Sequence, residues 1–326
     1  MSLAKKIISG DQRALARALT FIEDGDAASE RILAELHAHG GKAHLVGVTG
    51  APGVGKSTLV NALAQSVRAR GDTVGVLAVD PTSPFSSGAV LGDRIRMRDL
   101  AGDKGIYIRS MATRGALGGL SHATAAAADV LDAAGFDCVL IETVGVGQAG
   151  VEIAANVHTT IVLMAPGSGD DVQAIKAGIL EIADILVVNK ADLSGAEQTR
   201  AYLRSTLTMG QTARAVAGHP HSEQADTPSP GWEVPLLMTV ASVGEGVDEL
   251  LQSLVAHHDY LASSGELDNR QRERMRAIVE LRLRNRLYTR LVQQVSQQRF
   301  DALLQAIVAR ETDPYSAVAS LMEDID

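Results

Sequence analysis

The chain has 326 residues, of which 46% are hydrophobic and only 3% aromatic, so we expect a core built from aliphatic side chains. The formal net charge of −9 argues against nucleic acid as a partner, and the single cysteine excludes an intramolecular disulfide. The sequence contains no long uncharged apolar run, so we expect no membrane partner and a cytoplasmic location.

The hydrophobic pattern predicts an N-terminal helical extension over residues 1–41 and an α/β domain over residues 42–262. In the extension, the polar stretch Glu23-Asp-Gly-Asp26 separates two short helices. In the domain, β-rich runs that are apolar on both faces alternate with helical segments, as a parallel sheet covered by helices requires. We expect strands at 44–49, 73–80, 105–111, 138–143, 159–165, 185–189 and 234–240, and helices at 56–70, 121–134, 171–183, 195–207 and 245–258.

Residues 263–326 are predicted to form a C-terminal helical arm, with one long helical tract from 268 to about 310. Apolar residues recur along this tract at helical spacing, and eight arginines fall between Arg270 and Arg290. Two interpretations stay open: a capping helix with a solvated basic face, or an arm for dimerisation or docking.

Residues 50–58, Gly-Ala-Pro-Gly-Val-Gly-Lys-Ser-Thr, follow a predicted strand and precede a predicted helix, the context that the phosphate-binding pattern G-x-x-x-x-G-K-[ST] requires. Glycines let backbone N–H groups turn toward phosphate oxygens, and the helix N-terminus adds a positive dipole. The sequence therefore predicts a P-loop NTPase with a doubly wound, mostly parallel sheet. The nucleotide-binding candidates are Gly50, Ala51, Pro52, Gly53, Val54, Gly55, Lys56, Ser57 and Thr58, with Lys56 also a catalytic candidate.

Asn189-Lys190-Ala191-Asp192 ends the apolar run 185–188 and matches the guanine-reading pattern N-K-x-D. A carboxylate at Asp192 accepts hydrogen bonds from the guanine N1–H and amino group. Adenine lacks both donors, so a buried carboxylate would stay unpaired, which discriminates by up to about five orders of magnitude. The sequence thus predicts GTP and GDP as ligands. A second guanine loop is predicted at Val240, Ala241 and Ser242, where Val240 replaces a usual serine and the Ala241 N–H donates to guanine.

Mg²⁺ is expected to accompany the nucleotide, held by oxygen ligands. The candidate ligands are Ser57, Asp80, Asp93 and Glu142; Asp80 and Asp93 also fit a role as plain helix or turn caps. Glu142-Thr-Val-Gly145 stands where most GTPases carry D-x-x-G, so Glu142 is a catalytic candidate and the Gly145 N–H is expected to sense the γ-phosphate.

Val146 occupies the position at which Ras-type enzymes use glutamine to orient water, so slow intrinsic hydrolysis is expected, with acceleration by a partner. Five arginines are candidates for neutralising charge in the transition state, and the sequence does not select among them: Arg94, Arg96, Arg98, Arg109 and Arg114.

With these motifs, the chain resembles the methylmalonyl-CoA mutase-associated GTPase family of MeaB/ArgK type, a group within the SIMIBI class. Four further stretches carry the resemblance: 80–84 (Asp-Pro-Thr-Ser-Pro), 91–97 (Leu-Gly-Asp-Arg-Ile-Arg-Met), 109–120 (beginning Arg-Ser-Met-Ala-Thr-Arg-Gly) and 142–148 (Glu-Thr-Val-Gly-Val-Gly-Gln). The resemblance implies a homodimeric GTPase that acts as chaperone of an adenosylcobalamin-dependent acyl-CoA mutase. It also implies a third switch, with Asp170, Gln173 and Lys176 as its polar contacts.

Two other functions compete with this interpretation. A metallochaperone GTPase of the hydrogenase or urease type would need a Cys/His cluster, whereas the pairs His37/His39, His219/His221 and His257/His258 have no cysteine near them and are expected on the surface or in loops. A transport-associated kinase or ATPase would need ATP, which the predicted Asp192 contact disfavours.

Overall fold

The computed structural model describes residues 1–81, 102–113, 119–143, 153–167, 179–217 and 231–323. Its strands are β1 (His44–Gly50), β2 (Val74–Pro81), β3 (Ile106–Thr113), β4 (Cys138–Glu142), β5 (Thr159–Met164), β6 (Ile185–Asn189) and β7 (Leu236–Thr239). They form one parallel sheet in the order β3-β2-β4-β1-β5-β6-β7. The α/β prediction is confirmed, and every predicted strand is present with its ends shifted by two residues or fewer.

The described helices are α1 (Leu3–Ile8), α2 (Gln12–Asp24), α3 (Ala27–Leu36), α4 (Lys56–Ala69), α5 (Gly119–Ala133), α6 (Ala196–Ala217), α7 (Val247–Ser264), α8 (Glu266–Gln294), α9 (Gln297–Val308) and α10 (Pro314–Glu323). Short 3₁₀ turns occupy His37–His39 and Ile179–Ile182. Of the helix predicted at 171–183, residues 171–178 lie outside the described part of the chain. No helix among the described residues is long and apolar enough to cross a membrane.

The sheet is covered on both faces, as is shown by its central strands, whose side chains are buried on each side. One apolar cluster joins β1 and β4–β6 to α4 and α7, with Leu63 and Leu250 among its fully buried members. A second cluster joins the other face to α5 and the N-terminal helices, where Leu19 and Ile141 are fully buried. The N-terminal helices therefore supply part of the core that supports β2 and β4.

The prediction of two N-terminal helices was wrong in number, since the structure has three. The short helix α1 forms because the Ser2 side chain caps it and Ile7 is buried. Helix α2 also reaches the sheet edge through an ion pair: Glu23 Oε2 lies 2.5 Å from Arg109 Nη2 on β3.

The long C-terminal tract predicted to about residue 310 is interrupted. Helix α8 ends at Gln294, and Ser296 starts α9 by accepting a hydrogen bond from the Arg299 backbone N–H at 3.2 Å. The chain divides into two compact units, Met1–Arg274 and Met275–Asp326. The three-part division into 1–41, 42–262 and 263–326 stays a prediction.

Candidate functional site

The loop between β1 and α4 follows the phosphate-binding pattern in its backbone geometry. Gly50, Gly53 and Gly55 have φ angles of 154°, 81° and 99°, a region that favours glycine. At Gly50, an added Cβ would lie 2.3 Å from the Leu163 carbonyl oxygen of β5, and at Gly55 it would lie 2.4 Å from Asn189 Nδ2. Gly50 and Gly55 must therefore be glycine for two reasons: their φ angles are unfavourable for other residues, and a neighbouring group occupies the space of a side chain.

Lys56 is folded back across this loop. Its Nζ donates to the carbonyl oxygens of Gly50 at 2.9 Å and Ala51 at 3.0 Å, and the side chain is buried. The ammonium group therefore lies inside the curve of the loop, where a bound phosphate chain would meet it.

Ser57 and Glu142 meet at the carboxyl edge of the sheet. The Ser57 hydroxyl donates to Glu142 Oε1 at 2.5 Å, and both side chains are buried. They meet because β1 and β4 are paired neighbours, with Val48 opposite Glu142. A hydroxyl and a carboxylate are ligands that Mg²⁺ accepts, so this pair fits a magnesium site.

The other predicted metal and phosphate contacts are only partly described. Asp80 lies in β2 opposite Ala112 of β3, near the carboxyl end of the strand, and its side chain is not described. Asp93 and Gly145 lie outside the described residues, as do the third-switch residues Asp170, Gln173 and Lys176.

Asn189 connects the phosphate loop to both predicted guanine loops. Its Nδ2 donates to the Val54 carbonyl at 2.9 Å, and its Oδ1 accepts from the Thr239 hydroxyl at 3.0 Å and the Ala241 backbone N–H at 3.1 Å. The sequence placed Thr239 at the start of the predicted guanine loop but assigned it no role in the site. This buried hydroxyl supplies a side-chain support that Val240 cannot provide.

Lys190 adds a second link to the phosphate loop, because its Nζ donates to the Gly53 carbonyl at 2.8 Å. Its φ of 56° makes it one of two non-glycine residues with positive φ among those described. Asp192 follows in the same loop and is exposed, which leaves its carboxylate accessible to a ligand.

The loop after β7 is held at its base by backbone contacts. Val240 N–H donates to the Glu245 carbonyl at 3.0 Å, and an added Cβ at Gly246 would lie 2.1 Å from the Met238 carbonyl oxygen. Val240 and Ala241 are buried, whereas Ser242 is exposed. The loop is therefore anchored at its base and exposed at its tip.

Two expectations about charged side chains change with the structure. Arg109, one of the five candidate arginines, donates to Glu23 and Thr20 of α2, so it is engaged with the N-terminal helices; the other four lie outside the described residues. His257 was expected at the surface or in a loop, but it is fully buried because it faces the sheet from α7.

Of the other paired histidines, His258 is half-buried on α7 rather than exposed or in a loop. His37 and His39 are exposed, as expected, and His219 and His221 lie outside the described residues. Within the described ranges, no group of three or more His, Cys, Asp or Glu side chains is arranged to hold a metal ion.

The glycine loop with its folded-back lysine, the Ser57–Glu142 pair and the Asn189-linked loops define a P-loop GTPase. The family model described as "Methylmalonyl Co-A mutase-associated GTPase MeaB" matches residues 15–296, and the chain belongs to this family. The protein is accordingly a GTPase.

Relatives agree with this assignment. A candidate GTPase of Pyrococcus horikoshii is 42% identical, with 99% of this chain and 97% of that protein covered. GTPase ArgK of Escherichia coli is 35% identical over 81% of this chain and 77% of its own length. The mitochondrial methylmalonic aciduria type A homolog of Caenorhabditis elegans is 33% identical over 84% of this chain and 69% of its own length.

Among solved structures, one described as an LAO/AO transport system kinase matches with a TM-score of 0.70 and 25% identity. The match covers 99% of this chain and 96% of that one. The two chains thus share the α/β fold.

Proposed function

We propose that this GTPase is a chaperone of an adenosylcobalamin-dependent acyl-CoA mutase, gating cofactor loading and protecting or reactivating the mutase. The observation that carries the proposal is the family match over residues 15–296, because the family is described by its association with methylmalonyl-CoA mutase. The relative named for methylmalonic aciduria adds support. Methylmalonyl-CoA mutase or a close relative, such as 2-hydroxyisobutyryl-CoA mutase, is the proposed client.

In this proposal, the loop 50–58 binds the phosphates and the loops at 189–192 and 240–242 bind guanine. Lys56 neutralises the β- and γ-phosphates, and the carboxylate of Asp192 selects guanine over adenine. The hydrogen bonds of Asn189 support this division of roles, because they join the two kinds of loop through one buried side chain.

Mg²⁺ is proposed to bind Ser57 and Glu142, with Asp80 and Asp93 as further oxygen ligands. The buried Ser57–Glu142 pair supports this choice, because its oxygen atoms suit a hard cation. When bound, the ion would neutralise charge on the β- and γ-phosphates.

Turnover is proposed to be slow without the client, and nucleotide state to be signalled by conformation. Val146 in place of a water-orienting glutamine supports slow turnover. Gly145 is proposed to sense the γ-phosphate, and Asp170, Gln173 and Lys176 to form the third switch.

The C-terminal arm is proposed to mediate homodimerisation. The second compact unit, Met275–Asp326, exposes many large apolar side chains for its size: Val279, Leu283, Leu287, Tyr288, Phe300, Leu304, Val308, Tyr315, Val318 and Met322. So many exposed apolar side chains on a short helical unit are consistent with a surface that a second copy of the chain buries.

A transport-associated kinase is the second candidate, because the solved relative carries that description. The two candidates differ in nucleotide, since a kinase of that kind uses ATP. A competition assay with labelled GDP separates the two candidates. If ATP displaced the GDP at concentrations comparable to those at which GTP does, the kinase would be favoured.

The test of the chaperone role compares GTP hydrolysis by the purified protein alone and with purified cobalamin mutases of different acyl-CoA specificity. We expect one mutase to bind and to raise the hydrolysis rate, and an unrelated acyl-CoA enzyme without cobalamin to do neither. Hydrolysis that no cobalamin mutase stimulates or binds would contradict the chaperone role while leaving the GTPase intact.

A further inference from the structure

A cluster of four histidines lies at the amino-terminal edge of the sheet, away from the nucleotide loops. His44 begins β1, His158 precedes β5, and His257 and His258 lie on α7. At about 3.3 Å per residue, the length of β1 separates His44 from Gly50 by about 20 Å. The cluster is therefore distinct from the GTPase site.

One hydroxyl joins two of these rings. Thr159 Oγ1 lies 2.7 Å from His44 Nε2 and 2.8 Å from His257 Nδ1. The contacts described for this buried hydroxyl offer its hydrogen no acceptor other than these two ring nitrogens, so one ring accepts from it and the other donates to it. Asp184 Oδ1 lies 3.4 Å from His257 Nε2, which favours a hydrogen on Nε2 and makes Nδ1 the acceptor. The donor to Thr159 is then His44.

Asp184 connects the cluster to the first turns of α8. Its carboxylate accepts from Arg270 at 2.9 Å and 2.8 Å and from the Thr160 backbone N–H at 2.8 Å. Arg270 also donates to the His158 carbonyl at 2.6 Å. A chain of polar contacts thus runs from the start of β1 to α8.

Protonation of the histidines would disturb the hydrogen bonds of Thr159 and Asp184. A second hydrogen on His257 would occupy Nδ1, so the Thr159 hydroxyl hydrogen would lose its acceptor unless His44 moved its own hydrogen to the other ring nitrogen. Burial, with the neighbouring histidines, holds the pKa of His44 well below its usual value. Burial is also the main cause that lowers the pKa of His158 and of His257 to about 4.

Other titratable groups face the rings from α5, from the residue before β6, from α7 and from α8. Asp184 favours a charge on His257, whereas Arg270 opposes it. The titratable groups that face the cluster or its anchors are Asp129 and Asp132 of α5, Asp184 before β6, His258 and Tyr260 of α7, and Glu266, Arg270 and Arg274 of α8.

We propose that this cluster is a proton-sensitive latch for the base of α8. Neutral imidazoles keep the Thr159–His257 bridge closed and Asp184 in place for Arg270. Added protons remove the acceptor of the Thr159 hydroxyl hydrogen and place positive charge beside Arg270, which shares Asp184 Oδ1 with His257, and residues 266–274 are released from the sheet edge.

The sole tryptophan supplies a reporter at this point. Trp232 Nε1 donates to the Asp184 carbonyl at 2.8 Å, and its ring centroid lies 4.7 Å from that of His257. Trp232 fluorescence therefore responds to the charge on His257 and to movement of Asp184.

The experiment follows the full-length protein from pH 7.5 to 4.5 by Trp232 fluorescence and by hydrogen-exchange protection factors. We expect protection of residues 266–274 to fall at least about tenfold on acidification while amides of β1 and β5 stay protected. Loss of protection at 266–274 only together with β1 and β5 would overturn the latch, since that pattern is global unfolding.

Variants identify the group that responds. His257→Gln keeps hydrogen-bonding capacity but cannot be protonated, so the transition should move at least about one pH unit lower. The matched control His39→Gln changes an exposed histidine outside the cluster and should keep the wild-type transition. An identical transition in His257→Gln would overturn the proposal.

Thr159→Val provides a test that changes no ionisable group and nearly preserves shape. Removal of the bridging hydroxyl should lower protection of 266–274 at pH 7.5 while GTP hydrolysis continues. Unchanged protection in this variant, over the whole pH range, would also overturn the latch.

Discussion

The side-chain amide of Asn189 donates to the Val54 carbonyl at 2.9 Å, which ties the end of β6 to the phosphate loop. The other end of the same amide accepts from Thr239 and Ala241. Asn189 is only 2% exposed, so water cannot replace these partners. The geometry of the phosphate loop and that of the guanine loops are therefore coupled through one buried side chain.

Asn189→Ala should weaken both the fold and nucleotide binding. The Val54 carbonyl, Thr239 hydroxyl and Ala241 N–H would lose a partner, and each such buried group costs about 1–3 kcal/mol. We expect the free energy of unfolding to fall by about 3 kcal/mol or more and GDP affinity to fall at least about tenfold. Urea unfolding and calorimetric titration measure the two effects.

The matched control is Asn269→Ala, which changes an exposed asparagine on α8. It should alter stability by no more than about 0.5 kcal/mol. Equal unfolding midpoints for the two variants would show that Asn189 does not join the loops in solution.

Asp192→Asn should move nucleotide preference from guanine toward xanthine. The amide cannot accept from both guanine donors, whereas it can donate to the O2 of xanthine. We expect GDP affinity to fall by about two orders of magnitude or more, because a site that pairs both guanine donors would lose one of its two acceptors. Competition between labelled GDP and XDP measures the switch, with Glu197→Gln on α6 as the control. Undiminished GDP binding in Asp192→Asn would defeat the assignment.

Glu142→Gln should separate metal use from nucleotide binding. Glutamine keeps the size of the side chain and its hydrogen bond to Ser57, but it removes the negative charge that attracts Mg²⁺. Loss of even an outer-shell partner typically costs about 10–100-fold in metal affinity or activity, so loss of a proposed ligand should cost at least as much. Hydrolysis measured over a range of Mg²⁺ concentrations should show the loss, with GDP affinity in EDTA unchanged. A wild-type Mg²⁺ dependence would remove Glu142 from the metal site.

The strands and the nucleotide motifs were predictable because each leaves a local signal. A parallel strand covered on both faces reads as a short apolar run, as in residues 185–188. The phosphate loop needs glycine at Gly50 and Gly55 because a neighbouring carbonyl or amide fills the space of a side chain. Both kinds of signal lie in consecutive residues, so they can be recognised from the sequence.

What the sequence did not predict depends on contacts between distant segments. Helix α1 is too short for a periodic pattern and forms because Ile7 finds a place in the core. The burial of His257 follows from the packing of α7 on the sheet, and its partner Thr159 lies 98 residues away. The position of His257 on the apolar stripe of Leu250, Leu254 and Leu261 was the available signal for its burial, whereas its partner could not be read from neighbouring residues.

Acid should destabilise the protein between about pH 6.5 and 4. In the unfolded chain His158 and His257 have a pKa near 6.5, whereas burial lowers the pKa of each to about 4 in the folded state. The unfolded state therefore binds more protons in this window, so stability is complete above pH 6.5 and falls as the pH drops. Each group contributes up to about 3 kcal/mol to the loss.

Urea unfolding at pH 7.5, 6.0 and 5.0 measures this dependence. His257→Gln should flatten it, while His37→Gln, at an exposed position, should not. A slope that is the same in all three proteins would mean that His257 titrates normally in the folded state.

Gly50→Ala and Gly53→Ala form a matched pair within the phosphate loop, since both glycines have positive φ. At Gly53 a Cβ meets nothing within 4 Å, so alanine should cost only the backbone strain of about 1–2 kcal/mol. At Gly50 the Cβ would lie 2.3 Å from the Leu163 carbonyl oxygen, which belongs to a central strand and cannot move aside.

We therefore expect Gly50→Ala to displace the loop or β5, with a loss of stability greater by about 2 kcal/mol or more than in Gly53→Ala. GDP binding should be lost in Gly50→Ala and retained, though weaker, in Gly53→Ala. Thermal unfolding with and without GDP measures both quantities, because bound nucleotide raises the midpoint. If Gly50→Ala matched Gly53→Ala in stability and GDP response, the close approach of Leu163 to the loop would not hold in solution.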